Sequence, residues 1–211
     1  MHLLLTDRLS CPRCGPDFGL ILLSERMEER DVREGSFGCP NCRDSYPVTG
    51  GFGDLRAPPR RGRPEGLAGP PEPEATDTAE AERIVALLGV TGGPGTVAMV
   101  GRPARHAGAL VAAIDGVHVM AVDPDLDAWP PVAGVSRMMA APGLPLYSRS
   151  LRGVAMDGRL GNAWIREAAR VVGRLGRVVV IRSDDGVADA LEETGLAILA
   201  AEDEIVVAAR G

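Results

Sequence analysis

The sequence predicts an α/β protein in which a small, β-rich, cysteine-containing module precedes a doubly wound, mostly parallel sheet. The four cysteines form two Cys-x-x-Cys pairs within the first 42 residues, which is typical of a small β-rich module. From residue 78 onward, short β-rich runs alternate with helical patterns, and this order favours a parallel sheet with helices on both faces. A short turn between the last two strands predicts an antiparallel hairpin at one edge.

Composition limits the classes of protein to which the chain can belong. Its 211 residues are 45% hydrophobic and 25% charged, enough for one ordinary domain or two small ones. Aromatic residues make up only 3%, so the core must be built from Val, Leu, Ala and Ile. The net charge of -6 argues against a strongly basic nucleic-acid-binding protein. All 23 cationic residues are Arg, which excludes chemistry that needs a Lys ammonium group.

The beginning of the chain does not have the pattern of a secretory signal. Apolar residues 3–5 are followed directly by Thr6, Asp7 and Arg8, and no segment has the ~18 consecutive apolar residues of a membrane span. We therefore expect a cytoplasmic protein with no membrane association. In that setting two Cys-x-x-Cys pairs indicate metal ligation and not a disulfide framework.

Composition changes twice along the chain and predicts three regions. Residues 1–56 hold all four cysteines, residues 57–77 carry six Pro and almost no large apolar side chains, and residues 78–211 carry the alternating pattern. The middle region cannot bury enough surface to offset its ordering entropy, which favours an extended, partly polyproline linker. A proline-dependent docking motif is the alternative.

The linker also contains a small group of cations, Arg60, Arg61 and Arg63. These side chains could contact nucleic acid, but acidic residues lie close by in the sequence, which is more typical of a solvated segment. At this length the linker could let the first module fold back onto the sheet edge of the second region.

The first half of the third region is predicted from hydrophobic periodicity and stop signals. Residues 79–88 have helical spacing, with Thr78 as the expected N-cap and Gly89 as the stop. The β-rich runs 96–100, 117–122 and 135–139 are expected to be strands, and 105–114 a helix.

The second half continues the alternation. Strands are expected at 151–156 and 177–181, with a helix at 162–172 between them. A helix at 187–193 and strands at 196–200 and 204–209 complete the chain.

The cysteine pairs carry the most specific signal in the sequence. Cys11-Pro12-Arg13-Cys14 and Cys39-Pro40-Asn41-Cys42 can bring four thiolates together around one tetrahedral zinc ion. Since all four ligands come from the protein, such a site is closed and structural. A redox dithiol is the alternative for a single pair. His2 is a further candidate ligand, but four cysteines already complete the set.

Around the cysteines the sequence resembles the zinc-ribbon activators of tRNA, rRNA and protein methyltransferases. The matching segments are 9–14, 37–42 and 45–55, the last reading Ser-Tyr-Pro-Val-Thr-Gly-Gly-Phe-Gly-Asp-Leu. The resemblance implies a protein partner bound by strand pairing with the ribbon, and a role in modifying RNA or translation factors. A generic zinc ribbon that serves as a folding nucleus is the alternative.

The third region resembles class I S-adenosylmethionine-dependent methyltransferases. Residues 164–181 are similar to the helix and fifth strand of those enzymes, and residues 141–146 to the segment near the adenine. The resemblance implies that Asp123, after the second strand, binds the ribose hydroxyls of the cofactor, and that Gly101 belongs to the cofactor loop.

That loop departs from the family pattern, which is acidic-x-Gly-x-Gly-x-Gly. Here Met99 replaces the acid, Gly101 is kept, and Pro103 and Arg105 replace the second and third glycines. Proline fixes φ and removes an amide donor, while arginine adds bulk where the methionine part of the cofactor would lie. Binding of S-adenosylmethionine is therefore not the expected outcome.

Several polar residues are weaker candidates. Asp157 follows the fourth strand, where methyltransferases often carry a substrate-orienting residue, and Asp184 and Asp185 follow the fifth strand but also suit a helix N-terminus. His106 and His118 have no partner specified by spacing. No catalytic residue is assigned.

Three functional hypotheses follow. The first is a zinc-ribbon protein with a degenerate methyltransferase-like domain, acting as a non-catalytic partner or stabiliser. The second is an active methyltransferase with an atypical cofactor loop that still uses Asp123. The third keeps the nucleotide pocket for a different ligand, with Arg102 and Arg105 favouring an anion.

Overall fold

The computed structural model describes residues 1–60, 62–70 and 75–211. Within them the elements are α1 (Leu3–Thr6), β1 (Ser10–Cys11), β2 (Gly15–Gly19), β3 (Ile21–Glu28), β4 (Asp31–Gly38), β5 (Ser45–Thr49), β6 (Phe52–Arg56), α2 (Ala75–Leu88), β7 (Gly95–Val100), α3 (Ala107–Ala113), β8 (Val117–Val122), β9 (Val135–Ala141), β10 (Leu151–Asp157), α4 (Asn162–Val171), β11 (Val172–Ile181), α5 (Val187–Glu192), β12 (Ala197–Glu202) and β13 (Ile205–Ala209). Three short 3-10 helices span Arg102–His106, Pro124–Ala128 and Gly158–Leu160.

In the described residues, β3 to β13 form one sheet of eleven strands, in the order β12-β13-β11-β10-β7-β8-β9-β6-β5-β4-β3. The six strands from β11 to β6 are parallel. The strands at both ends pair antiparallel. The predicted α/β fold class, with a mostly parallel sheet and an antiparallel C-terminal hairpin, is confirmed.

The central parallel strands are buried between two layers of helices. Residues 97–100 of β7 and 119–122 of β8 are all buried, because helices cover both faces of the sheet. One buried apolar cluster includes Ile165 of α4 and Leu191 of α5, and the other includes Ile84 of α2 and Leu110 of α3. The sheet is thus doubly wound.

The ribbon, our name for residues 1–56, joins the second region through one pair of strands. β6 lies parallel to β9, with Leu55 opposite Ala140. Ribbon residues such as Leu9 and Tyr46 belong to the same buried cluster as Leu146 of the second region. β6 of the ribbon is therefore already paired within this chain.

Arg137 of β9 strengthens this junction. Its side chain is almost fully buried, with 6% of the residue exposed. One guanidinium nitrogen donates to the carbonyl oxygens of Leu126 (2.8 Å) and Trp129, and the other donates to the carbonyl oxygen of Gly50 at 3.1 Å. Arg137 therefore links the ribbon turn to the 3-10 helix after β8.

Two predicted helix boundaries were wrong. α2 begins at Ala75, so Thr78 lies inside the helix and does not cap it, and the last residues of the predicted linker are helical. The predicted helix 105–114 is divided into the 3-10 helix Arg102–His106 and α3. Pro103 lies in the first turn of that 3-10 helix, where its missing N–H is tolerated.

The linker also differs from an extended spacer. Residues 62–70 pack against the ends of the parallel strands, where the amides of Leu67 and Ala68 donate to the Asp123 carboxylate. Arg61 and the proline-rich residues 71–74 lie outside the described residues. Within the described ranges, no helix is long and apolar enough to cross a bilayer.

Candidate functional site: the cysteine cluster and the strand-end pocket

The four cysteines converge at one end of the ribbon. Their Sγ atoms all lie within 4.8 Å of one another. Cys11 and Cys42 are 3.7 Å apart, Cys14 and Cys39 are 3.8 Å apart, and none of the four forms a disulfide. Metal–sulfur bonds of about 2.3 Å in a tetrahedron place the sulfurs about 3.8 Å apart. The cluster therefore has the size that a tetrahedral metal ion needs.

Neighbouring donors support negative charge on two of the sulfurs. The Cys14 amide donates to Cys11 Sγ at 3.4 Å, the Asn41 side-chain amide donates to Cys14 Sγ at 3.3 Å, and the Tyr46 hydroxyl lies 3.3 Å from Cys11 Sγ. Burial raises the pKa of the Cys11 thiol, but hydrogen bonds from Tyr46 and from the Cys14 and Arg13 amides outweigh burial and lower the pKa to about 7. Burial and the neighbouring thiols raise the pKa of Cys42 to about 12. Thiolates are the form that binds a metal.

His2 does not belong to this cluster. It is the N-cap of α1, where its Nδ1 accepts a hydrogen bond from the Leu4 amide at 3.2 Å. Its ring lies 4.7 Å from that of His118. His2 therefore has a structural role in the ribbon, while the four cysteines lie close enough together to hold a metal ion.

The second candidate site lies where the parallel strands β7 and β8 end. Gly101 follows β7 with a φ of 69° and a ψ of -137°, a conformation that favours glycine. Asp123 follows β8 and is only 3% exposed. The Gly101 amide donates to the carbonyl oxygen of Val122 at 2.9 Å, so the two strand ends are held together. The structure thus brings both predicted cofactor residues to one pocket.

The Asp123 carboxylate in this pocket is already bound by the chain itself. Its Oδ2 accepts hydrogen bonds from the amides of Leu67 (2.7 Å) and Ala68 (3.0 Å), and its Oδ1 accepts one from the amide of Asp125 (2.9 Å). Burial raises the pKa of Asp123, although these hydrogen bonds oppose the shift. We call residues 62–70 the strap.

The strap fits closely over the pocket. A Cβ atom on Gly66 would lie 2.1 Å from Asp123 Oδ1, so only glycine fits there, and Leu67 Cδ1 lies 3.6 Å from the position that a Cβ on Gly101 would take. Ala68 is fully buried. The strap therefore fills the space between Gly101 and Asp123.

Arginines fix the start of the strap. Arg63 forms an ion pair with Asp127 at 2.8 Å, and its guanidinium lies 5.7 Å from the centre of the Phe52 ring. Arg56 donates to the carbonyl oxygen of Gly62. Arg60 donates to the carbonyl oxygen of Ser45 in the ribbon, at 2.7 Å. The described linker arginines thus make contacts within the chain.

Asp157 is held by structural contacts as well. It is fully buried at the end of β10, where it forms an ion pair with Arg182 and accepts a hydrogen bond from the Arg159 amide at 2.9 Å. Asp184 accepts a hydrogen bond from the Gly186 amide at 3.1 Å, at the start of α5, and Asp185 is exposed. Asp157 lies beside Gly101, since its Cβ is 3.1 Å from the position that a Cβ on Gly101 would take, whereas Asp184 and Asp185 lie before α5.

The two other histidines lie in separate places, His106 buried and His118 half-buried. His106 Nε2 lies 3.0 Å from a Glu80 carboxylate oxygen, and His118 Nε2 lies 2.9 Å from the Ser136 hydroxyl. Burial lowers the pKa of His118 to about 4. His106 ends the 3-10 helix after β7, whereas His118 lies near the start of β8. Their hydrogen-bond partners differ, so the two histidines do not form a common site.

The strap and Arg137 were missed by sequence reasoning. One signal for the strap was present, since Leu67 and Ala68 are apolar residues between Gly66 and Gly69 in a proline-rich segment. The hydrogen bonds between the strap and Asp123 come from backbone amides, which every residue except proline offers.

Comparison with known proteins identifies the fold of the sheet. No family model matches the chain, and no curated protein matches it. Among solved structures, a geranyl diphosphate methyltransferase in complex with SAM aligns with a TM-score of 0.53 and 12% identity, over 64% of this chain and 85% of that chain. The sheet has a methyltransferase fold.

Two further solved structures are similar. Geranyl diphosphate C-methyltransferase from Streptomyces coelicolor has a TM-score of 0.50 and 12% identity, over 72% of this chain and 91% of its own. A chain from the complex between the Haloferax volcanii Trm112 methyltransferase activator and a methyltransferase has a TM-score of 0.49 and 13% identity, over 61% and 88%. At these identities the likeness concerns the fold alone.

The methyltransferase fold implies S-adenosylmethionine, and the pocket does not fit this cofactor. The Asp123 carboxylate, which would bind the ribose, is bound by strap amides. Gly66 leaves no room even for a Cβ atom beside it. The four cysteines, in contrast, fit a zinc ion, since all four are soft sulfur ligands at tetrahedral spacing.

Proposed function

We propose that this protein is a non-catalytic member of the methyltransferase fold that acts as a partner or stabiliser of another factor in RNA or translation-factor modification. The strap supplies the main support. Its Leu67 and Ala68 amides use the oxygen of Asp123 that a cofactor ribose would need. The first loop adds to this, because Pro103 cannot donate an amide hydrogen bond to a ligand.

The proposal also assigns the four cysteines to a structural zinc ion. Cys11, Cys14, Cys39 and Cys42 have the spacing and the neighbouring amide donors that a closed site needs. With no coordination position open, the ion would stabilise the ribbon and would not act on a substrate.

A partner would have to use a surface other than β6. β6 is already paired with β9 inside the chain. The resemblance to methyltransferase activators still motivates strand pairing with a partner, and β3 is the end strand of the sheet on the ribbon side. Ile21 and Leu23 of β3 are 55% and 59% exposed, whereas edge strands are commonly protected by charge or proline.

An active methyltransferase is the second candidate, because Asp123 is retained at the end of β8 next to Gly101. In that case the strap would leave the pocket when the cofactor binds. Asp123 would then exchange its two strap amides for the ribose hydroxyls.

Calorimetric titration distinguishes the two candidates. The zinc-loaded protein is titrated with S-adenosylmethionine and with S-adenosylhomocysteine, up to about 1 mM, the weak end of ordinary enzyme affinities. We expect no saturable heat, because the strap fills the pocket. An active class I methyltransferase serves as the positive control.

The Asp123→Asn variant decides any positive result. Micromolar binding that is lost in this variant would overturn the non-catalytic proposal and establish the cofactor site at Asp123. Binding that is equal in both proteins would also overturn the assignment of the pocket, because the ligand would then bind elsewhere.

A further inference from the structure

A cavity of about 440 Å³ lies beside the strap-filled pocket, at the end of β11. Its walls come from α2, the 3-10 helix after β7, the end of β11 and the β12–β13 turn. Ligand pockets commonly have volumes of about 300–1,000 Å³. In open α/β sheets ligands bind at the carboxyl ends of the strands, which is where this cavity lies.

Three arginines from three different elements line the cavity. Arg83 belongs to α2, Arg102 to the 3-10 helix, and Arg182 follows β11. Their side chains are 53%, 35% and 21% exposed, so Arg182 is the deepest. Arg182 therefore places a guanidinium group deep in the cavity, where Glu80, whose side chain is 29% exposed, also lies.

Arg182 retains an unused donor. Its Nε is buried and has no hydrogen-bond acceptor among the described residues. Burial and the neighbouring Arg102 and Arg105 guanidinium groups lower its pKa. A buried donor of a charged group without an acceptor is costly, and native proteins normally supply one. An anion in the cavity would supply it.

Three carboxylates also line the cavity. One is bound to side chains of the protein, and the other two are exposed to solvent. Glu80 is bound to His106 (3.0 Å) and to Arg102 (3.4 Å). Asp203, whose side chain is 82% exposed, lies 3.7 Å from Arg83, and Glu204 is also exposed. Solvent screens the two acids of the turn more strongly than it screens Arg182.

Asp157 is the remaining carboxylate near Arg182. It forms an ion pair with Arg182 from the buried side, and it does not line the cavity. This pair fixes the guanidinium in place while Nε keeps its free donor position. A rigid guanidinium loses little further entropy when a ligand binds.

We propose that the cavity binds a small molecule that carries a phosphate group. The phosphate would lie against Arg102 and Arg182, since planar guanidinium groups match phosphate oxygens well. Ile84, Ile181 and Ile205 form an apolar wall for the rest of the molecule. The site is separate from Asp123 and does not depend on whether S-adenosylmethionine binds.

The test is a calorimetric titration of the full-length protein with pyrophosphate at constant ionic strength. Pyrophosphate presents phosphate oxygens without any other group. We expect saturable binding with one site per chain. Arg182→Met and Arg102→Met should each weaken it about tenfold or more, because each removes a charge-assisted hydrogen-bond partner.

Arg166→Met is the matched control. Arg166 lies on α4, packed on the other face of the sheet, and its side chain is 62% exposed. This variant should bind pyrophosphate like the wild type. Equal weakening in the control would show non-specific charge attraction and overturn the site.

Two further outcomes contradict the proposal. The first is the absence of saturable pyrophosphate binding by the wild type. The second is an Arg102→Met variant that binds pyrophosphate like the wild type and has the same melting temperature. Arg182→Met removes the partner of Asp157, and the variant is uninformative if it does not fold. In that case, pyrophosphate binding by Arg102→Met and by the rim variant Arg83→Met decides whether the cavity is the site.

Discussion

At the scale of single residues, Asp123 is a buried carboxylate whose hydrogen bonds come from its own chain. It follows a buried strand next to Gly101 and accepts hydrogen bonds from three backbone amides. The carboxylate is therefore satisfied without a ligand. Gly66 makes this arrangement possible, because it has no side chain to separate the strap from Asp123.

Substitution of Gly66 by alanine should displace the strap. The added Cβ would overlap Asp123 Oδ1, so the amides of Leu67 and Ala68 would lose their acceptor. We expect a loss of about 1–3 kcal/mol in the free energy of unfolding, and faster hydrogen exchange at both amides. Denaturant unfolding and exchange measurements check this.

Gly92→Ala is the control for this substitution, because a Cβ at Gly92 would meet no atom within 4 Å. It should leave stability and exchange nearly unchanged. If Gly66→Ala behaved in the same way, the close fit of the strap would be wrong.

His118 should make stability depend on pH. Its pKa in the folded protein is about 4, because burial and the nearby His2 outweigh the attraction of Asp31. The unfolded chain would take up a proton near pH 6.5. Since the folded pKa is depressed, the contribution is complete above pH 6.5 and is lost as the pH falls towards 4.

At pH 5 this difference amounts to about 2 kcal/mol in the free energy of unfolding. Urea unfolding at pH 7 and pH 5 should show the larger loss in the wild type and a smaller loss in His118→Gln. The same slope in both proteins would assign the pH dependence to other groups.

At the scale of elements, the ribbon and the second region share one sheet and one buried cluster. β6 covers the edge of β9, and the buried side chains of both regions form one cluster. A ribbon of this size has little core of its own, and structural zinc commonly supplies the missing stability.

Replacement of any one of the four cysteines by serine should therefore remove zinc and unfold the ribbon. Zinc content by elemental analysis and thermal melting followed by circular dichroism provide the measurements. The control is Arg13→Gln, since the Arg13 side chain lies in the same loop and forms an ion pair with Asp44, at 3.1 Å, without belonging to the four sulfur ligands. A cysteine variant that kept its zinc and melted cooperatively would contradict the structural role.

At the scale of the whole molecule, the parts predicted from the sequence are those with a local signal. Strand β8 was expected at residues 117–122 and lies there, because a buried parallel strand is a continuous apolar run. The cysteine cluster followed from spacing. The assignment of Gly101 and Asp123 to a cofactor stays a prediction.

The parts that could not be predicted depend on contacts between distant segments. The pairing of β6 with β9 needs a parallel neighbour far along the chain. The contact between the strap and Asp123 uses backbone amides, and Arg137 binds carbonyl oxygens. Every residue carries a backbone carbonyl, and every residue except proline carries an amide N–H. No sequence pattern therefore shows which of these groups will bind a distant side chain.

The parallel pairing of β6 with β9 also matters during synthesis. The ribbon leaves the ribosome first, but the strand that covers β6 follows only after α2, β7, α3 and β8 have been made. During that interval the β6 edge of the nascent chain is open to other strands, a common origin of misassembly. Early metal loading would leave a folded ribbon whose β6 edge is still unpaired, so a chaperone that shields this edge would favour the native sheet.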